Sequence, residues 1–236
     1  MAACGTSHFA TKYVEVLIRK LGCFDFVDCK IASEITEQDL LFKQPERTAL
    51  LCVSQSGETM DLLIPFRLAQ ELGLTRINVV NKVNSTLARE NDCGVFINCG
   101  RELSVASTKA YTSQVVCLIL VALWFAQRKS FNQTKRLRAE IIAELKQLSS
   151  NMQIVLDTCN YFSAHVSEYL AKSNEIMFLG EGLGEAVANE GSLKMKELTY
   201  LHCQCFNIMN ISNGFLNFVK AKNGVPCIFI VLQDNK

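Results

Sequence analysis

Net charge is almost absent: 24 Lys and Arg stand against 23 Asp and Glu, leaving +1. A chain so balanced is not expected to be held by charge on nucleic acid or on an acidic membrane surface. Histidine is scarce, and His8, His165 and His202 show no spacing that would make a catalytic triad or a metal cluster. The longest apolar run, residues 115–126, falls short of the roughly 20 residues needed to cross a bilayer, and Gln114 and Gln127-Arg128-Lys129 flank it as helix ends would. The N-terminus, Met1-Ala2-Ala3-Cys4-Gly5-Thr6-Ser7, has neither the charged leader nor the apolar core of a secretory signal. No Walker A loop occurs, and Gly180-Glu181-Gly182-Leu183-Gly184 lacks the third spaced glycine of a dinucleotide fingerprint.

Cysteine is the one residue in surplus, with 11 in the chain. The number is odd, no CxxC pair is present, and most cysteines sit in apolar runs, such as Cys52 in Leu-Leu-Cys-Val-Ser and Cys117 in Val-Val-Cys-Leu-Ile. Cys203 and Cys205 lie two apart on a strand-like segment and share a face. Cysteines of this kind behave as small buried hydrophobes in a reducing compartment. A cytoplasmic location is expected, with no disulfide framework, no metal and no cofactor.

What is present is α/β patterning in 236 residues, of which 49% are hydrophobic and 20% charged. Short apolar runs alternate with longer amphipathic ones, as in βαβ units around a parallel sheet. Strands are expected at 48–53, 76–80, 94–98, 176–180 and 227–232, with a weaker one at 24–31. Helices are expected at 8–21, 59–72, 85–90, 107–127 and 135–156, the last carrying Leu137, Ile141, Leu145, Leu148, Met152 and Val155 at helical spacing. Pro65 falls inside the second helix, where it should remove a hydrogen bond and kink the chain. The first strand is a stub before Cys4, and the last stops near Gln233. The pattern divides into a first domain (1–128), a helical connector (129–171) and an incomplete second domain (172–236).

The segment Ser54-Gln55-Ser56-Gly57-Glu58-Thr59 ends a buried strand and opens a helix. Small hydroxyl side chains and unpaired backbone N–H groups at a helix N-terminus suit an anion, because donors and the helix dipole converge there. One such loop is also compatible with an ordinary capped strand–turn–helix. Two more follow the same plan: Cys4-Gly5-Thr6-Ser7, and Val105-Ala106-Ser107-Thr108-Lys109-Ala110. In doubly wound sheets such loops gather at the carboxyl edge, where ligands bind. Lys109 could offset anionic charge there or be simply solvated, and His8 opens a helix beside the first loop.

The turn CGTS, the loop SQSGET and the segment VASTKAYTSQ resemble the isomerase portion of the glucosamine-6-phosphate synthase family, the glutamine–fructose-6-phosphate aminotransferases. Glu190-Gly-Ser-Leu-Lys-Met-Lys-Glu-Leu-Thr-Tyr-Leu-His202 resembles that family's EGALKxKExxYxH helix. The resemblance implies two SIS (sugar isomerase) domains, each a flavodoxin-like, doubly wound parallel sheet, the second one incomplete here. It assigns Thr6, Ser7, Ser54, Gln55, Ser56 and Thr59 to a sugar phosphate, either fructose 6-phosphate or glucosamine 6-phosphate. It puts Val105 and Ser107 against the sugar hydroxyls, and Lys194 and Glu197 on the catalytic helix. Three apart, Lys194 and Glu197 share a helix face, as catalytic groups or as a solvated ion pair.

The implied role is amino-sugar synthesis, supplying UDP-N-acetylglucosamine precursors, as a homodimer or with a separate glutaminase-bearing chain. Three features depart from the family. Asn213 stands where the family has a ring-opening His, and neither the glutaminase domain nor the family's C-terminal Schiff-base lysine falls within the sequence. Cys4 belongs to the CGTS turn and is not the glutaminase nucleophile. A non-catalytic sugar-phosphate module, or the remnant of a split gene, is therefore the alternative, and no turnover is expected of the chain alone.

Overall fold

The computed structural model describes residues 1–210 and 224–232, which form two compact units, Met1–Trp124 and Phe125–Lys236. The first unit is built on a five-stranded parallel sheet of β1 (Ala2–Ala3), β2 (Lys30–Ile31), β3 (Ala49–Ser54), β4 (Thr75–Val80) and β5 (Cys93–Phe96). The strand order is 2-1-3-4-5, the flavodoxin-like, doubly wound arrangement. The stub strand is central: Ala2 and Ala3 pair with β2 on one side and with Cys52 and Val53 on the other. Both alanines are fully buried.

Strand β3 reads as a continuous apolar run because it is covered on both faces, as buried parallel strands are, whereas β4 buries Arg76 and Asn78, which bond Asp92 and the Leu87 carbonyl. Leu50 and Cys52 share a core cluster with Leu62, Leu63, Phe66 and Ala69 of α3 (Met60–Glu71) and with Leu87 of α4 (Thr86–Glu90). Helix α1 (Gly5–Leu21) buries Ala10, Val14, Ile18 and Leu21. It connects β1 to β2 while α3 connects β3 to β4, and right-handed crossovers running in opposite directions place the two helices on opposite faces. Helix α2 (Glu37–Leu40) is one turn closed by a Thr36–Asp39 capping box; its brevity left no period in the sequence.

Several boundaries differ from expectation for local reasons. Helix α1 starts at Gly5 rather than His8, so Thr6 and Ser7 lie in its first turn and not in a loop before it. The strand expected over 24–31 is two residues long, with Phe26 69% exposed rather than packed. Helix α3 runs from Met60 to Glu71 with Pro65 inside it. The proline is in the second turn, where its missing donor strands only the Asp61 carbonyl.

Helix α5 (Lys109–Lys129) is longer than the apolar run that marked it and is 21 residues long. By length and composition alone it is long and apolar enough to cross a membrane, a property shared with core helices of soluble proteins. Its buried positions Ala110, Gln114, Leu118, Ala122 and Ala126 recur every fourth residue, the stripe of a helix laid against a core.

The second unit contains α6 (Lys135–Leu170), which continues 14 residues beyond the expected end at 156. The polar stretch after Leu156 masked the continuation. Thr158, Ser163 and Ser167 turn their hydroxyls back onto carbonyls of the preceding turn, so they satisfy themselves without breaking the helix. A three-stranded parallel sheet follows, ordered β7 (His202–Asn207), β6 (Glu175–Gly180) and β8 (Cys227–Ile230). Helix α7 (Leu183–Thr199) covers it. Ile176, Phe178, Ala188 and Cys203 make the core of this layer.

Candidate functional site

Strands β1 and β3 are neighbours whose connections leave in opposite directions, so a crevice opens between their carboxyl ends, where doubly wound sheets bind ligands. The register Ala3↔Val53 fixes Cys4-Gly5-Thr6-Ser7 beside Ser54-Gln55-Ser56-Gly57-Glu58-Thr59. Each segment feeds a helix N-terminus. The α1 ladder begins with His8 N–H to the Cys4 carbonyl at 3.4 Å, so the N–H groups of Gly5, Thr6 and Ser7 precede it. In α3 the Leu62 N–H donates to the Thr59 carbonyl at 3.0 Å, which leaves the Met60 and Asp61 N–H groups ahead of the ladder.

The β3–α3 loop is tightly ordered by its own polar groups. Ser54 Oγ accepts from the Gly57 N–H at 2.9 Å and lies 3.4 Å from Thr59 Oγ1. Ser56 Oγ accepts from the Glu58 N–H at 3.2 Å. Gly57 adopts φ +66°, and a Cβ there would meet the Ser85 hydroxyl and lie 2.5 Å from Ser85 Cβ. Only glycine fits both the left-handed backbone and the close approach. Its carbonyl accepts from the Leu87 N–H at 3.2 Å. Glu58 reaches across to the Thr86 N–H at 2.8 Å, and the Thr86 hydroxyl, followed by this N–H, lowers its carboxyl pKa. The loop is thus tied to the start of α4 by two hydrogen bonds.

Gln55 also lines an open cleft of about 630 Å³ with Asn81, Lys82, Asn98, Gly100, Arg101 and Glu102. Asn81 holds the far wall: its Nδ2 donates to the Gly100 carbonyl at 2.7 Å and its Oδ1 accepts from the Cys99 N–H at 3.1 Å. The β5–α5 segment beyond is organised by Glu102. Burial pushes this carboxyl up, but bonds from Ser107 and from the Thr108 and Ala110 N–H groups bring it below its usual value. Ser107 Oγ donates to Glu102 Oε2 at 3.0 Å, so its hydroxyl is engaged within the segment. Val105 is 97% exposed.

Thr6 is half-buried, whereas Ser7 is buried and its Oγ accepts from Gln114 Nε2 of α5 at 2.8 Å. His8 lies next to it but turns to Cys29, with 3.8 Å between Nδ1 and Sγ. Burial, followed by the Lys12 charge, lowers the His8 pKa. All 11 cysteines are free thiols, and burial pushes Cys29 and Cys52 up to about 12, which leaves them protonated and unreactive. Among the described residues no group of three or more His, Cys, Asp or Glu side chains could hold a metal ion.

Lys194 and Glu197 belong to the second unit and form a cluster of their own on α7. Lys194 Nζ is 2.5 Å from Glu197 Oε2 and 3.6 Å from Glu190 Oε1, and its side chain is 17% exposed. One lysine between two carboxylates on consecutive turns is a partly buried triad, more than the solvated pair that spacing alone allows. Asn213 lies outside the described residues.

A model of the SIS domain matches residues 1–123, and the chain belongs to the SIS domain family, with the flavodoxin-like fold that its strand order shows. Over 235 residues it is 34% identical to the glutamine–fructose-6-phosphate aminotransferase (isomerizing) of Caldanaerobacter subterraneus subsp. tengcongensis, covering 100% of this chain and 38% of that protein. It is 33% identical over 237 residues to glutamine–fructose-6-phosphate aminotransferase (isomerizing) 1 of Rattus norvegicus, covering 100% of this chain and 33% of that one. The C-terminal domain of glucosamine-fructose-6-phosphate aminotransferase from Francisella tularensis superposes with TM-score 0.88 at 31% identity, covering 99% of this chain and 64% of that chain. The chain is homologous to the isomerase portion of these enzymes and spans about a third of the length of the two curated relatives.

Sequence reasoning named the hydroxyls but not the groups that brace them, Glu58, Asn81, Glu102 and Gln114, nor Glu190 beside Lys194. Only Glu190 left a usable signal, because 190, 194 and 197 repeat at helical spacing on one face.

Proposed function

We propose that the chain binds a hexose 6-phosphate, fructose 6-phosphate or glucosamine 6-phosphate, as the isomerase portion of a glutamine–fructose-6-phosphate aminotransferase. The observation that carries this reading is the pair of hydroxyl-bearing helix starts at the β1/β3 crevice. There Thr6, Ser7, Ser56 and Thr59, with the leading N–H groups of α1 and α3, offer donors to a dianion without bulk. Ser54 holds the loop shape, and Gln55 faces the cleft that would take the sugar, with Val105 and Ser107 along its hydroxyls. On α7, Glu197 would take a proton from C1 of the open-chain ketose and return it to C2, the step that converts a ketose to an aldose. Lys194 would hold that carboxylate in place. No cofactor or metal is needed for this transfer. A homodimer or a separate glutaminase-bearing chain would complete the assembly, in the cytoplasm.

Binding without turnover is the second reading, favoured by Asn213 at the position of the family's His: an amide has no proton to exchange near neutral pH. The test of binding is thermal unfolding with fructose 6-phosphate and with fructose. The phosphorylated sugar should raise the Tm and fructose should not, and Ser56→Ala with Thr59→Ala should abolish the shift. A full shift in the double variant removes the phosphate assignment.

A further inference from the structure

Gln114 is a buried polar side chain whose amide nitrogen is engaged and whose amide oxygen is not. It is 1% exposed in the first half of α5, where the helix otherwise turns Ala110, Leu118, Ala122 and Ala126 inward. Its Nε2 donates 2.8 Å to Ser7 Oγ across 107 residues of sequence, while its Oε1 has no hydrogen-bond partner among the described residues. Burying an unpaired carbonyl is unfavourable, because it loses its hydration and gains no hydrogen bond in return, and a methionine of similar length would carry no such cost. Packing alone therefore does not account for glutamine at this point.

The bond's direction supplies a reason. A serine hydroxyl has one proton to donate and two lone pairs to accept with. Because Ser7 Oγ accepts from the amide, its own proton remains available for another acceptor. Turned over, the amide would accept that proton at Oε1 and leave its N–H groups unpaired.

Ser7 is also held from the backbone side, since its carbonyl accepts from Thr11 Oγ1 at 2.6 Å. The hydroxyl sits in the first turn of α1, ahead of the helix ladder, at the crevice between β1 and β3. We infer that Gln114 is a positioning residue that fixes Ser7 as a hydrogen-bond donor toward the phosphate group of the ligand. The inference rests on the sugar-phosphate reading above and extends it to a side chain that does not itself touch the ligand.

The experiment is a thermal-unfolding and calorimetric comparison of the full chain with Gln114→Met, Ser7→Ala and the double variant, each with fructose 6-phosphate. Gln114→Met should keep or raise the Tm of the free protein, because it removes the orphaned carbonyl, and should weaken fructose 6-phosphate binding about tenfold. Gln114→Glu, whose carboxylate would capture the Ser7 proton and repel the phosphate, should weaken it further. Ser7→Ala should weaken binding comparably, and adding Gln114→Met to it should change little, since one acts through the other.

A purely structural glutamine gives the reverse pattern, a lower Tm with affinity unchanged, and that result overturns the inference. Additive losses in the double variant overturn it too, because Gln114 would then act independently of Ser7. Absence of any fructose 6-phosphate binding by the unmutated chain is a separate outcome: it sinks the sugar-phosphate reading and this inference with it.

Discussion

Gly57→Ala tests whether the β3–α3 loop has the rigid shape on which the binding site depends. Two costs are superimposed at this glycine. Its φ of +66° is left-handed, which costs a residue with a Cβ about 1–2 kcal/mol. The added methyl would also collide with the Ser85 hydroxyl and stand 2.5 Å from Ser85 Cβ, so backbone or Ser85 must move by about an ångström, an overpacking cost of about 1–3 kcal/mol. Ser85 is poorly placed to yield: it is 2% exposed, its Oγ donates to the Lys82 carbonyl at 2.8 Å, and it caps α4 through the Ala88 N–H.

The two costs can be measured apart. Gly73 has φ +76° and open space where a Cβ would go, so Gly73→Ala carries only the backbone cost. In the first unit Gly73→Ala should lower the Tm by about 4 °C and Gly57→Ala by about 10 °C or more. Adding Ser85→Gly to Gly57→Ala makes room for the methyl and should recover most of the difference. On the sugar-phosphate reading proposed above, the same displacement moves Ser56 and Thr59 away from the phosphate, so Gly57→Ala should weaken fructose 6-phosphate binding at least tenfold while Gly73→Ala leaves it within twofold. The assays are thermal unfolding and titration calorimetry. A Gly57→Ala protein matching Gly73→Ala in both would refute the rigid-loop argument.

Two further outcomes are expected. Burial lowers the His8 pKa below 6.5, so the folded chain resists a proton that the unfolded chain accepts. The stability associated with this group is complete above about pH 6.5 and is lost as pH falls toward the lowered folded value. His8→Gln should flatten the Tm profile between pH 7 and about 5.5, and an unchanged profile would show that His8 does not set it. The chain alone should form no glucosamine 6-phosphate from fructose 6-phosphate and glutamine; product that disappears in Glu197→Gln would show that Asn213 is no obstacle to turnover.

The fold was legible wherever a segment carried its own period. Strands β3, β4 and β6 lie within one residue of their expected starts: β3 and β6 are apolar runs bounded by polar turns, and β4 was marked by its β-branched residues Ile77, Val79 and Val80. Strand β5 was displaced by one residue at its start and two at its end; all four of its residues are exposed, so burial wrote no clean alternation there. Strand β1 was visible only as a stub, since two alanines cannot express a period. Its central place comes from pairing with β2 and β3, 28 and 50 positions on in the register Ala2↔Lys30 and Ala2↔Cys52. Helix α5 starts at Lys109 rather than at the expected 107 because Ser107 and Thr108 bond the Glu102 carboxylate ahead of it, a contact made by side chains rather than by pattern.

The candidate site divides along the same physical line. Ser54, Ser56, Thr59 and Ser7 were readable as candidates because hydroxyls clustered at a helix start are a local arrangement of adjacent residues. What holds them is not local. Glu58 bonds 28 residues ahead and Gln114 bonds 107 residues back, and single polar residues at such separations leave no trace in composition or periodicity. Gln114 was legible only as the polar flank of an apolar run, and its burial against Ser7 emerges only in the folded chain. Lys194, Glu190 and Glu197 are the reverse case: all three fall within two turns of one helix, so their shared face was present in the sequence. That Glu190 is also buried and Lys194 half-buried, with side chains 8% and 17% exposed, follows from the sheet of β6, β7 and β8 beneath α7. A half-buried lysine between two carboxylates keeps its geometry only while all three partners remain, since removing one leaves a charge poorly compensated. The triad is therefore under the same constraint as the loop at Gly57: each holds its shape only while every one of its interlocking partners is present.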